Sequence, residues 1–288
     1  MDDGMTAEPH WQASKPVDHP LKVRDRRFGR GKKRPRGTDP VAAAWFAALS
    51  ASFPRGEAMF IDAVKAHRAD TPAKLTGEIR DFIRQEVNHS REHVAFNRAV
   101  EEAGYDLTFI DARVKQLVGD TQKAPAIVQL AITCALEHFT AMFAHQFLKS
   151  PHTLASAGMG DRQLWLWHAV EEIEHKAVAY DTFIHATRNW SSFKRWRMRS
   201  LVMLLVTIRF LRNRSADAVE LLAQDGVTGW RAKAHLAHYL IVKPGILRSI
   251  FPSWLGYFRP GFHPWDHDDR HLIAKWDREL DDAPEAAA

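Results

Sequence analysis

The sequence predicts an all-α protein. Long stretches of its 288 residues repeat apolar side chains with the roughly 3.6-residue period of a helix. Stretches that alternate apolar and polar residues, as strands do, are sparse. Two helix starts are explicit, because Asp39 and Thr71 are each followed by a proline, which suits the first helical position after a capping side chain. A chain of this length can bury a sizeable core, in one large domain or two small ones.

The predicted helices follow one another with short interruptions. The apolar residues 41–52 form the first helix, and Phe53-Pro54-Arg55-Gly56 interrupts the pattern before residues 57–68 resume it. The next helix runs from Thr71-Pro72 to Gly104, because glycine is a common residue at a helix end. The remainder after residue 213 reads as short helices and turns around the core. The other predicted helices cover residues 108–118, 124–149, 161–189 and 191–213.

The positive charge is concentrated near the N-terminus. The chain has a formal net charge of +5, but residues 22–36 alone hold nine Lys and Arg against one Asp. Residues 1–38 are therefore predicted to form a disordered basic arm. No aromatic ladder or known nucleic-acid module accompanies this arm, so no specific nucleic-acid partner is expected. A single cysteine, Cys134, and the lack of an apolar signal segment favour a cytoplasmic protein.

One stretch carries a row of metal-ligating residue types. In a helix, His168, Glu172 and His175 lie at positions i, i+4 and i+7 and share one face. Two imidazoles and a carboxylate on one side of a helix are typical of a metal site. Glu171 lies only one residue away from that face, so the spacing leaves open which of the two glutamates is the ligand.

The same arrangement occurs twice along the chain. Glu57 precedes the pair Glu86-x2-His89 by 29 residues, and Glu137 precedes Glu172-x2-His175 by 35 residues. Each separation suits two antiparallel helices joined by a turn, which brings both side chains to a similar height. Glu137 also lies in an apolar stretch, where an unpaired carboxylate is costly to bury. The candidate ligands are Glu57, Glu86, His89, Glu137, Glu172 and His175.

The chemistry of this set favours two metal ions. Four carboxylates and two neutral imidazoles balance the charge of two divalent cations. Mixed oxygen and nitrogen ligands suit iron or manganese, and the lack of thiolates argues against a structural zinc site. We expect two metal ions, with iron as the first choice and manganese or zinc as alternatives.

Two resemblances to known families rest on these residues. The doubled pattern of a lone glutamate and Glu-x2-His resembles the ferritin-like di-iron carboxylate superfamily. His168-x3-Glu172-x2-His175 is similar to the last ligand helix of the di-iron arylamine N-oxygenases. More closely, residues 40–266 resemble a bacterial family named "predicted metal-dependent hydrolases" through three motifs, Phe53-Pro54-x-Gly56-Glu57, Gln85-Glu86-x2-His89-Ser90-x2-His93-x3-Asn97 and Gly261-Phe262-His263-Pro264-Trp265.

These resemblances imply a fold, a domain organisation and a ligand set. The fold is a ferritin-like four-helix bundle with additional C-terminal helices. The bundle occupies residues 39–214, after the basic arm of residues 1–38, and residues 215–288 form a helical extension packed on it. The implied metal ligands are Glu57, Glu86, His89, Glu137, Glu172 and His175, with His168 as a seventh.

Other interpretations stay open for several residues. Glu86 and Glu172 could instead be surface or salt-bridged side chains. His93, one turn after His89, could be a ligand or a core residue, but we favour a residue that supports a ligand through a hydrogen bond. An apolar substrate channel is a further hypothesis, although a helical core needs the same residues, which are Trp165, Trp167, Phe139, Met142 and Phe143.

Three functions compete on this sequence. A di-iron oxidase or oxygenase acting on a small organic substrate is favoured, because His168 resembles the additional ligand of the N-oxygenases. A metal-dependent hydrolase that uses a metal-activated water is the alternative, and a non-catalytic metal-binding protein is the third. The partners considered are a small-molecule substrate, an electron-donor protein, a second copy of the chain, and a membrane surface contacted by the basic residues 195–214.

Overall fold

A computed structural model describes residues 19–28, 39–154 and 159–281 of the chain. The secondary structure of these ranges is helical and includes no strand, which confirms the all-α class. Short 3₁₀ turns lie at Pro151–Leu154 and Pro264–Asp266, and a π-helical turn lies at His238–Val242. The α-helices are α1 (Pro40–Ser50), α2 (Phe53–Lys65), α3 (Ala73–Glu102), α4 (Thr108–Gln122), α5 (Ala126–Lys149), α6 (Met159–His175), α7 (Val178–Ala186), α8 (Ser192–Gln224), α9 (Gly229–Ala237), α10 (Ile246–Gly256) and α11 (Arg270–Asp281).

The prolines near the start of the chain begin helices. Asp39 caps α1, because its Oδ1 accepts a hydrogen bond of 2.9 Å from the backbone N–H of Val41. Pro54 was predicted to interrupt a helix, but α2 begins at Phe53 and takes Pro54 into its first turn. A proline costs no helical hydrogen bond there, since the first N–H groups of a helix have no partner within it.

The predicted helix over residues 161–189 is two helices. It breaks between α6 and α7 at Lys176 and Ala177. The buried ammonium of Lys176 donates hydrogen bonds of 2.7 Å to Asp269 Oδ2 and to the His267 carbonyl. The break therefore coincides with a contact to the C-terminal part of the chain that local periodicity does not reveal.

The helix predicted to end at residue 213 continues to Gln224 as α8. Ala218, Leu221 and Leu222 are buried and extend the apolar face of this helix, so packing continues where the basic composition ends. The predicted boundary between residues 214 and 215 therefore falls inside one continuous helix.

Four helices surround the region where the candidate ligands lie. α2 packs against α3, α5 packs against α6, and contacts of α2 with α5 and of α3 with α6 close the ring. Each helix presents an apolar face to its neighbours, as a helical bundle requires. The finer ferritin-like comparison stays a prediction.

The C-terminal helices share the core of the preceding helices. Ile246 and Ile250 of α10 and Ile273 of α11 belong to one apolar cluster with residues of α1, α5, α6 and α8. In α11, Trp276 donates its indole N–H to the Leu148 carbonyl at the end of α5, at 2.9 Å. These contacts hold the C-terminal helices against α5 and α6.

Residues 19–28 correct the prediction of a disordered basic arm. Arg24 is only 5% exposed and donates hydrogen bonds of 2.7 Å to Glu174 Oε1 and 2.8 Å to Asp277 Oδ1. Its backbone N–H donates to Glu171 Oε1 at 2.8 Å. The basic composition suggested a solvated arm, but carboxylates of α6 and α11 pair with it and order this segment. The other residues of the predicted arm, 1–18 and 29–38, lie outside the described ranges.

α5 is the described helix whose length and composition would suffice to cross a membrane. Most of this helix is nevertheless buried inside the protein, where it packs against α2, α6, α7 and α8. It also carries Glu137 in its middle. A core helix passes the same test of length and composition, so the apolar character of α5 is explained by its position among the other helices.

Candidate metal centre

The seven predicted ligand residues converge on one point between α2, α3, α5 and α6. None of the seven is more than 4% exposed. Glu57 is contributed by α2, Glu86 and His89 by α3, Glu137 by α5, and the row on α6 supplies the rest. We call these residues the donor cluster, which consists of Glu57, Glu86, His89, Glu137, His168, Glu172 and His175.

The donor cluster contains overlapping groups of three ligand atoms. Within each group the ligand atoms lie no more than 4.8 Å from one another. Glu86 belongs to two of these groups, one with Glu137 and His175 and the other with Glu57 and His89. A further group joins His89 to His168 and Glu172. Shared members make the groups one continuous cluster rather than separate sites.

Many polar atoms of the donor cluster lack a hydrogen-bond partner among the described residues. His175 Nε2, for example, lies 3.2 Å from Glu86 Oε1 and 3.4 Å from Glu137 Oε2, but these contacts do not have hydrogen-bond geometry. Buried polar atoms without partners are rare, and each costs about 1–3 kcal/mol. The unpartnered atoms are Glu57 Oε1, both carboxylate oxygens of Glu86 and of Glu137, His89 Nδ1, Glu172 Oε2 and His175 Nε2.

The carboxylates of the donor cluster also lack a basic side chain to balance their charge. Within the described part of the chain, no lysine or arginine forms an ion pair with Glu57, Glu86, Glu137 or Glu172. The nearby guanidinium of Arg24 is instead engaged by Glu171, Glu174 and Asp277. Four buried carboxylates without a cation are unstable unless protons or metal ions neutralise them.

The pKa values in the donor cluster reflect the lack of a paired basic side chain among the described residues. Burial, followed by repulsion between neighbouring carboxylates, raises the pKa of Glu86 and Glu137 well above the ordinary range. Burial also raises the pKa of Glu57, against a hydrogen bond of 2.6 Å from Ser90. Burial alone would raise the pKa of Glu172 too, but the neighbouring His175 and His168 outweigh it and lower that pKa. Glu57, Glu86 and Glu137 therefore hold protons that a cation would displace.

A hydrogen bond from outside the donor cluster fixes the orientation of His175. Its Nδ1 lies 3.0 Å from Gln85 Oε1, which can only accept, so Nδ1 carries the proton. The amide of Gln85 is itself held, because its Nε2 donates to Glu174 Oε2 at 3.0 Å and to the Lys22 carbonyl at 3.2 Å. The lone pair on His175 Nε2 consequently points into the donor cluster, as a metal-ligating imidazole requires.

His89 is oriented in a similar way, which also separates the roles of the two adjacent glutamates. His89 Nε2 lies 3.0 Å from Glu171 Oε2 and donates to it, so the lone pair on Nδ1 faces Glu172 Oε1 at 3.7 Å. Glu171 accepts its other hydrogen bond from the backbone of Arg24. Glu171 is thus the outer partner of His89, and Glu172 is the member of the donor cluster. The spacing of the sequence left this choice open.

His93 supports His168 through a line of hydrogen bonds that begins in α1. Ser50 Oγ donates to Asn97 Oδ1 at 2.7 Å, so it accepts from His93 Nδ1 at 2.8 Å. His93 Nε2 then accepts from His168 Nδ1 at 2.6 Å. The lone pair on His168 Nε2 is left facing Glu172 Oε1 at 2.7 Å, and this pair of atoms can hold one proton or one cation between them. The supporting role of His93 stays a prediction, because His93, His168 and the donor-cluster glutamate of α2 also form a group whose ligand atoms lie within 4.8 Å of one another.

The sequence did not reveal which outer residues orient the imidazoles. Gln85 and Glu171 contact ligand imidazoles and adjoin a ligand in sequence. Ser50 instead acts through His93, and Arg24 acts through Glu171. A polar residue directly before a Glu-x2-His motif was the available signal for Gln85. Arg24 gave none, because its partners lie about 150 residues away along the chain.

An apolar cavity of about 360 Å³ adjoins the donor cluster. His168 and Glu172 line it, and the predicted channel residues Trp165, Phe139 and Phe143 line it as well. The other two predicted channel residues lie elsewhere. Trp167 instead packs edge-on against the ring of His89, with ring centroids 4.9 Å apart, and Met142 is a core residue.

A second group of ligand-type side chains lies beyond the end of α6. His145, His267 and Asp269 bring their ligand atoms within 4.8 Å of one another. Asp269 already has partners, because His145 Nδ1 lies 2.8 Å from one of its oxygens and Lys176 Nζ lies 2.7 Å from the other. The ammonium supplies the positive charge here, so this group has little need of a metal ion.

The residues of the donor cluster fit divalent metal ions. Its oxygen and nitrogen donors are buried and unpartnered, and its three imidazoles are held with one lone pair directed inward. Metal-ligating histidines usually donate their other ring N–H to an outer partner in this way. Without thiolates, the donor set suits iron, manganese or a catalytic zinc ion.

Comparison with known proteins agrees with this conclusion. A family model described as "Predicted metal-dependent hydrolase" matches residues 22–268, most of the chain. The match includes the ordered segment 22–28 as well as all the helices that carry the donor cluster. No curated protein and no solved structure matches the chain. The chain belongs to the family of predicted metal-dependent hydrolases.

Proposed function

We propose that this protein is a hydrolase that binds two divalent metal ions in the donor cluster and acts on a small, largely apolar substrate in the adjoining cavity. The observation that carries the proposal is the set of buried, unpartnered ligand atoms, whose carboxylates form no ion pair with a lysine or arginine in the part of the chain that the structure describes. Family membership supports hydrolysis over the oxidation favoured from the sequence.

The overlap of the ligand groups supports two ions rather than one. Glu137 and His175 would hold one ion, and Glu57, His89 and His168 the other. Glu86 would be shared, because it belongs to a group on each side, and Glu172 lies near both His89 and His175. Bound divalent ions supply Lewis-acid chemistry, which activates water and polarises a substrate oxygen.

Glu172 is the residue we propose as the proton acceptor. It lines the cavity together with His168, so a substrate in the cavity meets these two side chains. Hydrolysis needs a group that takes a proton from the attacking water and returns it to the leaving group. Burial raises the pKa of Glu172, but His175 and His168 outweigh it and lower that pKa, so Glu172 is a carboxylate that can accept this proton.

The test measures metal content and hydrolysis on the same preparation. The full chain is reconstituted with zinc, manganese or ferrous iron, freed of excess metal, analysed for bound metal and assayed with nitrophenyl esters and phosphate esters. We expect about two ions per chain and metal-dependent release of nitrophenol. Glu86→Ala should remove about one ion per chain, because it eliminates a shared ligand.

The control variant is His267→Ala, which removes an imidazole from the second group of ligand-type side chains. The His267 side chain is 61% exposed, so its loss should leave folding and metal content unchanged. A chain that keeps no stoichiometric metal after reconstitution, while remaining folded, would overturn the proposal.

Oxygen activation is the second candidate, and the surroundings of the imidazoles favour it. Trp167 and Phe82 pack edge-on against His89 and His175, with ring centroids 4.9 Å apart in both cases. A carboxylate-rich site with such dry, aromatic surroundings suits iron chemistry with oxygen. Exposure of the anaerobic ferrous protein to oxygen discriminates between the candidates. A new visible absorption band without esterase or phosphatase turnover would favour the oxidase, and hydrolysis without an oxygen response would favour the hydrolase.

A further inference from the structure

We propose that the natural ligand of the cavity is an amphipathic anion, whose apolar body fills the cavity and whose carboxylate or phosphate group binds at an arginine-lined mouth. The inference rests on the proposed function, because it assigns a substrate class to the same cavity. It adds a requirement that a general apolar substrate would not have, namely a negative charge at the end of the molecule that faces solvent.

The cavity has an inner end and an open end. At the inner end lie the buried His168 and Glu172 of the donor cluster. At the open end lie Leu205 and Arg209 of α8, and Leu205 is 60% exposed. A volume of about 360 Å³ is at the lower end of the roughly 300–1,000 Å³ typical of small-molecule sites. The cavity therefore suits one narrow apolar chain or a small ring system that reaches the donor cluster.

A polar cleft of about 310 Å³ continues from the mouth of the cavity. The cleft and the cavity have four lining residues in common, so the two spaces adjoin. Arg209 is one of the shared residues, and the cleft adds Arg113 and Arg212. Three guanidinium groups from α4 and α8 therefore surround the place where a ligand would leave the apolar cavity.

The positive charge at this mouth is only partly neutralised. Arg209 and Arg212 form no ion pair or hydrogen bond with any described residue. Arg113 contacts the buried Asp217, and the same carboxylate also binds Arg214 at 2.7 Å, so one acid serves two arginines.

Asp120 is the acid exposed at the mouth, and Lys123 already engages it at 2.8 Å. The local balance is positive, which suits an anionic group.

The residue type and the position of these groups define the ligand. Arginine presents several N–H donors in a plane that matches a carboxylate or a phosphate. An apolar chain in the cavity removes its surface from water, while an anionic group at the mouth stays hydrated and paired. A wholly polar anion would leave the cavity unfilled, and a neutral apolar molecule would make no charge pair with Arg212 or with Arg209, whose nearby acid Asp120 is shared with Lys123. In this orientation, a hydrolysable bond such as an ester would lie at the inner end of the ligand, next to the two donor-cluster residues that line the cavity.

The experiment compares three ligands that share one alkyl chain. Decanoate, decyl phosphate and decanol are titrated into the metal-loaded full chain, with binding followed by calorimetry and by tryptophan fluorescence, since Trp165 lines the cavity. We expect at least one of the two anions to bind about tenfold more tightly than decanol, and the comparison between the anions identifies the head group. Equal binding of all three ligands, or no binding of either anion, would overturn the proposal.

Surface variants test the mouth without disturbing the core. The double change Arg209→Gln and Arg212→Gln should weaken binding of the preferred anion about tenfold and leave decanol unchanged, because only the anion contacts the guanidinium groups. Leu205→Glu, at an exposed position, should also weaken the anion by repulsion. Arg197→Gln is the matched control, since Arg197 is exposed on the same helix but does not line the mouth. Equal losses in the control would overturn the assignment.

The readouts separate this inference from the proposed function. If the chain binds the anion but hydrolyses no ester or phosphate ester, the amphipathic site is supported and the proposed hydrolase function is contradicted. If the chain hydrolyses short neutral esters but does not bind the anion more tightly than decanol, the hydrolase function is supported and the amphipathic site is contradicted.

Discussion

Two groups of acidic and imidazole side chains adjoin each other where α6 ends, and they differ in how their charge is balanced. His175, the last residue of α6, belongs to the donor cluster, and the next residue, Lys176, belongs to the group around Asp269. Asp269 has a partner for each oxygen, an ammonium on one side and an imidazole on the other. In the donor cluster, neither oxygen of Glu86 or of Glu137 has a hydrogen-bond partner within the described ranges.

The difference shows which property identifies a metal centre. Both groups bring ligand atoms within the same 4.8 Å, so distance alone does not separate them. A lysine ammonium completes one group, whereas the other retains buried donors whose lone pairs face one another. Such an arrangement destabilises the folded chain unless a cation binds. Buried donor atoms without partners therefore identify the metal-binding site.

Replacing Lys176, in the group around Asp269, should produce the largest change in stability. Lys176→Met leaves the buried Asp269 without its ammonium, and breaking a buried ion pair costs about 3–5 kcal/mol. The free energy of unfolding is measured by urea titration, with metal content determined in parallel. Metal content of the folded fraction should be unchanged. Loss of metal with unchanged stability would reverse the roles assigned to the two groups.

Removing one acid of the donor cluster should instead raise the free energy of unfolding of the metal-free protein. Glu137→Met should stabilise the metal-free protein by about 1 kcal/mol, because an apolar side chain of similar size replaces a buried carboxyl group that lacks a partner among the described residues. The same change should weaken metal binding and reduce the rise in melting temperature that metal produces. Urea titration with and without metal tests both effects. A metal-free variant less stable than the original chain would mean that Glu137 has a stabilising partner.

The pH dependence of metal affinity sharpens the comparison further. The pKa values of Glu57, Glu86 and Glu137 are raised, chiefly by burial, so the metal-free cluster holds protons that a metal ion must displace. The stability that these raised values contribute is present below the ordinary pKa of glutamate and lost as pH rises through the raised values. Metal affinity should therefore increase with pH, by about tenfold per pH unit for each proton displaced.

The stability that Asp269 contributes changes with pH in the opposite direction. Burial by itself raises the pKa of Asp269, but His145 and Lys176 outweigh it and lower that pKa. Its contribution to stability is thus present above the ordinary aspartate pKa and is lost as pH falls through the lowered value. Competition titrations of manganese or zinc from about pH 5 to about pH 8 measure the metal side of the contrast. An affinity independent of pH would mean that the acids of the donor cluster are already ionised without metal.

Much of the helical fold follows from local signals. The N-cap at Asp39 and the long apolar periods of α3 and α5 predict these helices within a few residues. Two of the errors share a cause, which is packing against distant parts of the chain. α8 extends past residue 213 because its later residues are buried, and the helix predicted over residues 161–189 breaks where Lys176 meets Asp269.

The sequence by itself determined the identities of the candidate ligands. A lone glutamate and a Glu-x2-His pair, each occurring twice, select six of the seven residues that converge, and the seventh, His168, lies one helical turn before Glu172 on the same face. Whether those residues bind metal remains a prediction that the proposed experiments test.

Only the tertiary structure decided which atoms face the centre. Glu171 and Glu172 are neighbours of the same type, and the choice between them depends on Arg24, about 150 residues earlier in the chain. The inward lone pairs of His89, His168 and His175 likewise depend on partners from other helices or on neighbouring side chains. The physical reason is that a spacing fixes the face of a helix, whereas the proton and the charge on each side chain are fixed by what packs against it.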